Sequence, residues 1–223
     1  MAGILFIISA PSGSGKSTLV NEVRRLVEGL EFSISYTTRD PRGSEQNHVE
    51  YHFITKAAFE AMIANDEFLE HATVFGDNYY GTARSALVQA HERGHDLLLD
   101  IDVQGALQVM VKVPEAGSIF ILPPNPDVLE KRLRHRSQAE NVTDEAVIQK
   151  RLRQARRELE QIGKYRYALV NDDLEEAVSE MRAVVLCARG SATEEEIALA
   201  ARCETSARSA KLLAALRSFG VEV

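Results

Sequence analysis

The chain begins with an apolar run, Ile4 to Ile8, closed by Ser9, and then changes period: Leu19, Val23, Leu26, Val27 and Leu30 recur at helical spacing. This predicts a strand and then a helix, with Gly29 as the helix stop. From about Ser33 to Thr82 the texture differs. The polar-alternating runs SISYTT, EYHFIT and EHATVF are separated by turn formers and one short helical segment, KAAFEAMIAND. That pattern predicts small antiparallel strands outside the core layer, an inserted subdomain. The strand and helix rhythm resumes with a helix ending at Gly94, the strand DLLLDID, a helix from Gln104 and the strand SIFILPP. Such alternation implies a mostly parallel sheet covered on both faces. In PPNPDVLEKRLRHR another helix begins, with Asn125 as N-cap and Pro126 at its first position. A second starts near Thr143; its Ile148, Leu152, Ala155, Leu159 and Ile162 form one apolar stripe that leaves Arg151, Arg153 and Arg157 off the seam. YALVND is the last predicted strand, Asp173 to Ala188 the last core helix, and the alanine-rich segment beyond Gly190 adds two helices.

Composition narrows the class. The 223 residues suit a single catalytic domain with insertions, and 45% hydrophobic with 26% charged residues match a soluble globular protein. No apolar run approaches the roughly 18 residues of a membrane span. GILFII has no basic leader and reads as a buried strand, so a cytoplasmic protein is the default and no membrane partner is expected. A formal net charge of -7 argues against a nucleic-acid polymer as partner, although a few local arginines can still bind a small anion. Cys187 and Cys203 have neither CxxC spacing nor a His cluster beside them, which makes them reduced structural thiols.

The stretch SAPSGSGKST, Ser9 to Thr18, carries the clearest chemistry. Strand, glycine-rich loop and helix follow in the order of a phosphate-binding loop, with Ala10 where the fingerprint has its first glycine. Gly13 and Gly15 let successive backbone N–H groups point into one concavity, to which the helix adds the field of its positive end. Lys16 would reach the β- and γ-phosphates, and the Ser17 hydroxyl would ligate Mg2+. Ala10, Pro11, Ser12, Gly13, Ser14, Gly15, Lys16, Ser17 and Thr18 are therefore the candidate ATP contacts. A methyl group at Ala10 is acceptable if the backbone there is one that L-residues populate.

The next motifs concern the acceptor. SYTTR followed by PR, FLEHA followed by VFG, and YYGT together resemble the guanylate kinase family, over about residues 4 to 188. The resemblance implies an α/β P-loop kinase with a three-layer core and mostly parallel sheet, an inserted small mixed β GMP-binding subdomain and a helical lid. Core segments would be 1–32, 83–125 and 160–190, the insert 33–82 and the lid 126–159, with 191–223 a helical C-terminal extension. It further implies transfer of the γ-phosphate of ATP to GMP with Mg2+. Arg39, Arg42, Tyr51 and Tyr80 would hold the GMP phosphate, and Ser35, Glu70 and Thr82 would read guanine. Asp100 would stand beside GMP and the metal's water shell, with Asp102 a lesser candidate. Arg136 and Arg151 of the lid would act with Lys16 on the transferring group, and Asn171 in VNDD belongs to the adenine side.

These assignments agree with the chemistry of the groups. Guanidinium forks and phenolic hydroxyls suit a dianionic phosphate. One ionised carboxylate can accept both N1–H and N2–H of guanine, whereas adenine offers an acceptor at N1. The chain departs from the family where Arg42 is followed by Gly43, Ser44 and Glu45, where His48 occupies a usual glycine position, and where Asp77 or Asn78 is an extra residue. His48 is not expected as a base, because a phosphate oxyanion needs no deprotonation. Two other readings stand beside the kinase: a catalytically silent module that binds phosphopeptides, and a related P-loop kinase for another phosphate acceptor. For the extension, docking on the core or a subunit contact in a homo-oligomer is expected.

Overall fold

The structure, a computed structural model, describes residues 3–74, 77–139 and 145–222. β1 (Leu5–Ser9) leads into α1 (Lys16–Leu26), then come the short strands β2 (Leu30–Phe32), β3 (Tyr36–Thr37) and β4 (His52–Phe53). α2 (Lys56–Ala64) precedes the antiparallel pair β5 (Phe68–Val74) and β6 (Asn78–Ala83). Alternation follows: α3 (Arg84–Glu92), β7 (Asp96–Asp100), α4 (Val103–Lys112), β8 (Gly117–Leu122), α5 (Pro126–Ala139) and α6 (Glu145–Leu159). The chain closes with β9 (Tyr167–Val170), α7 (Leu174–Arg189), α8 (Glu194–Cys203) and α9 (Ala210–Ser218).

Five strands form one sheet in the order β2-β7-β1-β8-β9, with β2·β7 and β8·β9 parallel. Its strands read as unbroken apolar runs because both faces are covered: Phe6, Ile7, Ile8, Leu98, Leu99 and Phe120 have no exposed surface. Each such side chain contributes roughly 1.5–3 kcal/mol through burial. Four further strands form a second sheet in the order β4-β3-β6-β5.

Three local expectations are corrected. α1 stops at Leu26, which is 59% exposed, and Val27 is already extended. Leu30 therefore starts β2, a strand concealed in the sequence because Leu26 and Leu30 happen to continue the helical spacing. β4 pairs with β3 in parallel, so the small sheet is mixed, as the family resemblance implied, and not purely antiparallel as its alternation alone suggested. Ile162 lies beyond α6 in a 3-10 turn, although it is fully buried. The expected helix start near Thr143 lies outside the described residues.

By contacts the chain groups into two compact units, one of residues up to Ile7 with Gly29–Ala116, the other of Ile8–Glu28 with the chain from Gly117 onward. In the second unit the extension docks on its own chain. α8 packs on α7, Thr205 N–H donates to the Arg166 carbonyl at 2.9 Å, and Glu204 forms an antiparallel bridge with Tyr167 of β9. Leu212, Ala215, Leu216, Phe219 and Val221 are buried there. α8 is started by a capping box between Thr193 and Glu196.

Candidate active site

The loop after β1 ends at the N-terminus of α1, where Gly13 and Gly15 take φ of 90° and 82°. Only glycine takes these angles freely, and a side chain would also crowd its neighbours, most severely at Gly15. A Cβ on Gly15 would stand 2.5 Å from Asn171 Nδ2, and one on Gly13 would stand 3.0 Å from Leu129 Cδ1. Ala10 has no positive φ, so its methyl group is accommodated at the strand exit. Ser14 braces the turn: its N–H and hydroxyl both donate to the Pro11 carbonyl, at 3.1 and 2.7 Å. The Ser14 carbonyl in turn accepts from Asn171 Nδ2 at 2.8 Å and from the Arg132 guanidinium at 3.3 Å. Arg132 also donates to the Asn171 carbonyl, at 3.1 Å. Asn171 is thus buried against the loop's backbone.

Lys16, the first residue of α1, is half-buried. Burial, and next the Arg136 guanidinium, lower its ammonium pKa to about 8, while Glu158 of α6 acts in the opposite direction. Arg136 thus shares the electrostatic environment of Lys16. Arg151 of α6 donates to the Ser137 hydroxyl of α5 at 3.4 Å. Ser17 and Thr18 are exposed in the first turn of α1. An exposed hydroxyl fits Mg2+, a hard cation that takes oxygen ligands and keeps several waters.

In the unit that contains Gly29–Ala116, two clusters form along β6. The first centres on Arg39, which is 9% exposed. Its Nε donates to Tyr80 Oη at 3.1 Å, its two terminal nitrogens grip Glu45 at 2.6 and 2.8 Å, and one of them also donates to the Asp40 carbonyl at 2.8 Å. The guanidinium lies 4.9 Å from the Tyr51 ring centroid, and the Tyr51 and Tyr80 rings meet edge to face at 5.9 Å. Glu45 holds the Arg39 pKa up and is itself held down, chiefly by Arg39. Burial raises the Tyr51 phenol, so Arg39, Glu45 and Tyr51 keep their ordinary charge near neutral pH. Arg42 is exposed, and its backbone N–H donates to Glu45 Oε2 at 2.8 Å.

The second cluster lies two residues along the same strand. Tyr80 and Thr82 share a face of β6, and Thr82 pairs across to Glu70 of β5. The fully buried Thr82 hydroxyl donates to Glu70 Oε1 at 2.8 Å. Glu70 is 3% exposed, and burial raises its pKa to about 7; Asp102 adds to the rise, while Thr82 and Lys112 moderate it. A carboxyl expected as fully ionised is therefore poised near neutrality. Ser35 is half-buried and its carbonyl accepts from His52 N–H at 2.9 Å. Asp100 is half-buried at the end of β7. Asp102 is the N-cap of α4, accepting from Gly105 N–H at 2.8 Å.

The family model "Guanylate kinase" matches residues 3–187. The chain belongs to the guanylate kinase family. A guanylate kinase of Koribacter versatilis (strain Ellin345) is 59% identical over 189 residues, covering 85% of this chain and 80% of that protein. One from Alkalilimnicola ehrlichii is 42% identical over 200 residues, 90% and 96% of the two chains. Among solved structures, a crystal structure of guanylate kinase from Anaplasma phagocytophilum matches with a TM-score of 0.64 at 29% identity, covering 99% of this chain and 97% of that one. Membership of the guanylate kinase family makes the chain a nucleoside monophosphate kinase with the expected α/β P-loop fold.

The departures from the guanylate kinase pattern have local explanations. His48 has φ of 68° and donates its N–H to the Tyr51 carbonyl at 2.8 Å, so it adopts the left-handed backbone that a glycine would take there more easily. Gly43 takes φ of 53° with open space around it, and Asp77 takes 69°. Arg132 and Glu45 were not singled out in the sequence as site residues. Glu45 lies only three residues beyond Arg42, but nothing in that spacing shows that it will occupy the Arg39 fork.

Proposed function

We propose that this kinase transfers the γ-phosphoryl group of ATP to GMP, giving ADP and GDP. The observation that carries the reading is the pairing of two clusters on one face of β6, arginine with tyrosines around Tyr80 and the buried carboxylate against Thr82. A phosphate and a purine edge are the groups these clusters would bind. Arg39, Arg42, Tyr51 and Tyr80 take the acceptor phosphate, Ser35, Glu70 and Thr82 take guanine, and Asp100 stands near the acceptor. Ala10 to Thr18 hold the phosphates of ATP, with Asn171 on the adenine side. Functionally the core comprises 1–32, 83–125 and 160–190, the acceptor insert 33–82 and the lid 126–159.

Catalysis in this proposal is alignment and charge stabilisation, without a covalent enzyme intermediate. Lys16, Arg136 and Arg151 stabilise charge on the transferring group, and Arg39 with Arg42 aims the acceptor oxygen. Ser17 would hold Mg2+, which when bound neutralises charge between the β- and γ-phosphates. A cytoplasmic location belongs to the same proposal: Cys187 and Cys203 are free thiols, as in a reducing compartment. Among the described residues no helix is long and apolar enough to cross a membrane. A coupled ADP-release assay across GMP, AMP, CMP, UMP and dTMP tests the acceptor. Turnover with GMP at least about a hundredfold above the others is expected, and equal turnover with AMP would overturn the assignment.

A further inference from the structure

If Glu70 reads guanine, its carboxylate must stay where two adjacent N–H donors can reach both oxygens. β5 is the outer strand of its sheet, and α4 supplies the groups that its open side requires. Gln108 Nε2 donates to the His71 carbonyl at 2.8 Å, and the His71 N–H donates to Gln108 Oε1 at 3.5 Å. One turn further on, Lys112 Nζ donates to the Leu69 carbonyl at 2.6 Å. The main chain on both sides of Glu70 is thereby tied to one helix.

The same helix face also bounds the carboxylate. Gly105, Gln108 and Lys112 are spaced three and four apart and so lie along one stripe of α4. A Cβ on Gly105 would stand 2.4 Å from Glu70 Oε2, while Thr82 holds Oε1 from the opposite strand. Glu70 therefore sits between a hydroxyl and a patch of bare backbone, on a peptide pinned at its neighbours.

We propose that Gln108 and Lys112 are positioning residues for base recognition, holding the Leu69–His71 main chain so that Glu70 meets both donors of a 2-aminopurine. The inference rests on Glu70 as the base reader. Its signature is selectivity between GMP and inosine monophosphate, the same purine without the exocyclic 2-amino donor. A displaced carboxylate loses the two-point contact and penalises GMP more than inosine monophosphate. Loss of general integrity penalises both alike and leaves their ratio unchanged.

The test is kcat/KM for both acceptors at saturating ATP. Gln108→Leu and Lys112→Met are each expected to lower the GMP preference about fivefold to tenfold, mainly through the KM for GMP, with the KM for ATP within about twofold of the parent. Lys112→Arg, which keeps a cationic donor, restores the preference. Ratios within about twofold of the parent in both truncated variants overturn the proposal. Should either truncation fail to fold, Gln108→Glu, which loses the amide donor, must still lower the ratio and Lys112→Arg must preserve it; the opposite pattern is equally contradictory. Glu70→Gln is the internal control. If it lowers the ratio while the α4 variants do not, the positioning role fails and the reading of Glu70 stands; if Glu70→Gln leaves the ratio unchanged, the base-reader assignment itself fails.

Discussion

Around Gly13 to Ser17 the groups offered to an anion are backbone N–H donors, one lysine and one hydroxyl, whereas around Arg39 they are a guanidinium and phenols drawn from separate segments. The loop is held by groups that touch its main chain: Asn171 and Arg132 bind the Ser14 carbonyl, and no Cβ fits at Gly15. The Arg39 cluster is held by groups that satisfy one another. Four of the five N–H donors of Arg39 are engaged by Tyr80, Asp40 and Glu45, so the fork is already shaped around a carboxylate. A pocket built from backbone tolerates few substitutions and announces itself as a motif. One built from side chains can specify its ligand more closely, but its parts are individually ordinary.

Variants should separate the two regions. The largest effect is expected from Lys16→Ala, a fall in kcat of about a thousandfold with GMP binding retained, measured by steady-state kinetics and titration. Loss of GMP binding in that variant would break the distinction. Next, Arg39→Ala and Arg42→Ala should each raise the KM for GMP about a hundredfold and leave the KM for ATP within about threefold. Equal effects on both substrates would remove the acceptor role. Glu70→Gln should reduce the preference for GMP over AMP about thirtyfold, within the discrimination of a good bidentate contact, and should change the ATP requirement little.

The smallest expected effect concerns pH. Burial puts the Glu70 carboxyl at about 7, so its ionised, accepting form is lost as pH falls through neutrality. The KM for GMP is therefore expected to rise about fourfold between pH 8 and pH 6.5 beyond any change caused by the nucleotide's own phosphate. Glu70→Gln has no carboxyl to titrate and should show only the nucleotide's part. An identical pH profile in parent and variant would show that Glu70 does not titrate in this range.

What the sequence disclosed follows from the same contrast. The phosphate loop was legible because backbone chemistry demands Gly13, Gly15, Lys16 and Ser17 at fixed spacing between a strand and a helix. The parallel sheet was legible from runs such as LLLDID, apolar on both faces. β2 was hidden because three residues are too few to set a period of their own, and Leu30 matched the helix before it. Glu45, Gln108, Lys112 and Arg132 were not distinguished because their contacts are made only when segments meet: Lys112 is 43 positions from Leu69, and Arg132 is 118 from Ser14. Even Glu70, identified by its flanking motif, was expected as an ordinary ionised acid, since no motif carries the degree of burial that raises its pKa.

On the proposed function, side chains along β6 form a GMP pocket that does not depend on the donor nucleotide. Equilibrium titration of the parent protein with GMP and with AMP, in the absence of ATP and repeated on Arg39→Ala and Glu70→Gln, tests it most directly. Saturable GMP binding, much weaker AMP binding, a large loss of GMP affinity in Arg39→Ala and a loss of GMP-over-AMP preference in Glu70→Gln are expected. Equal affinity of the parent for GMP and AMP, or unchanged GMP binding in both variants, would contradict the claim.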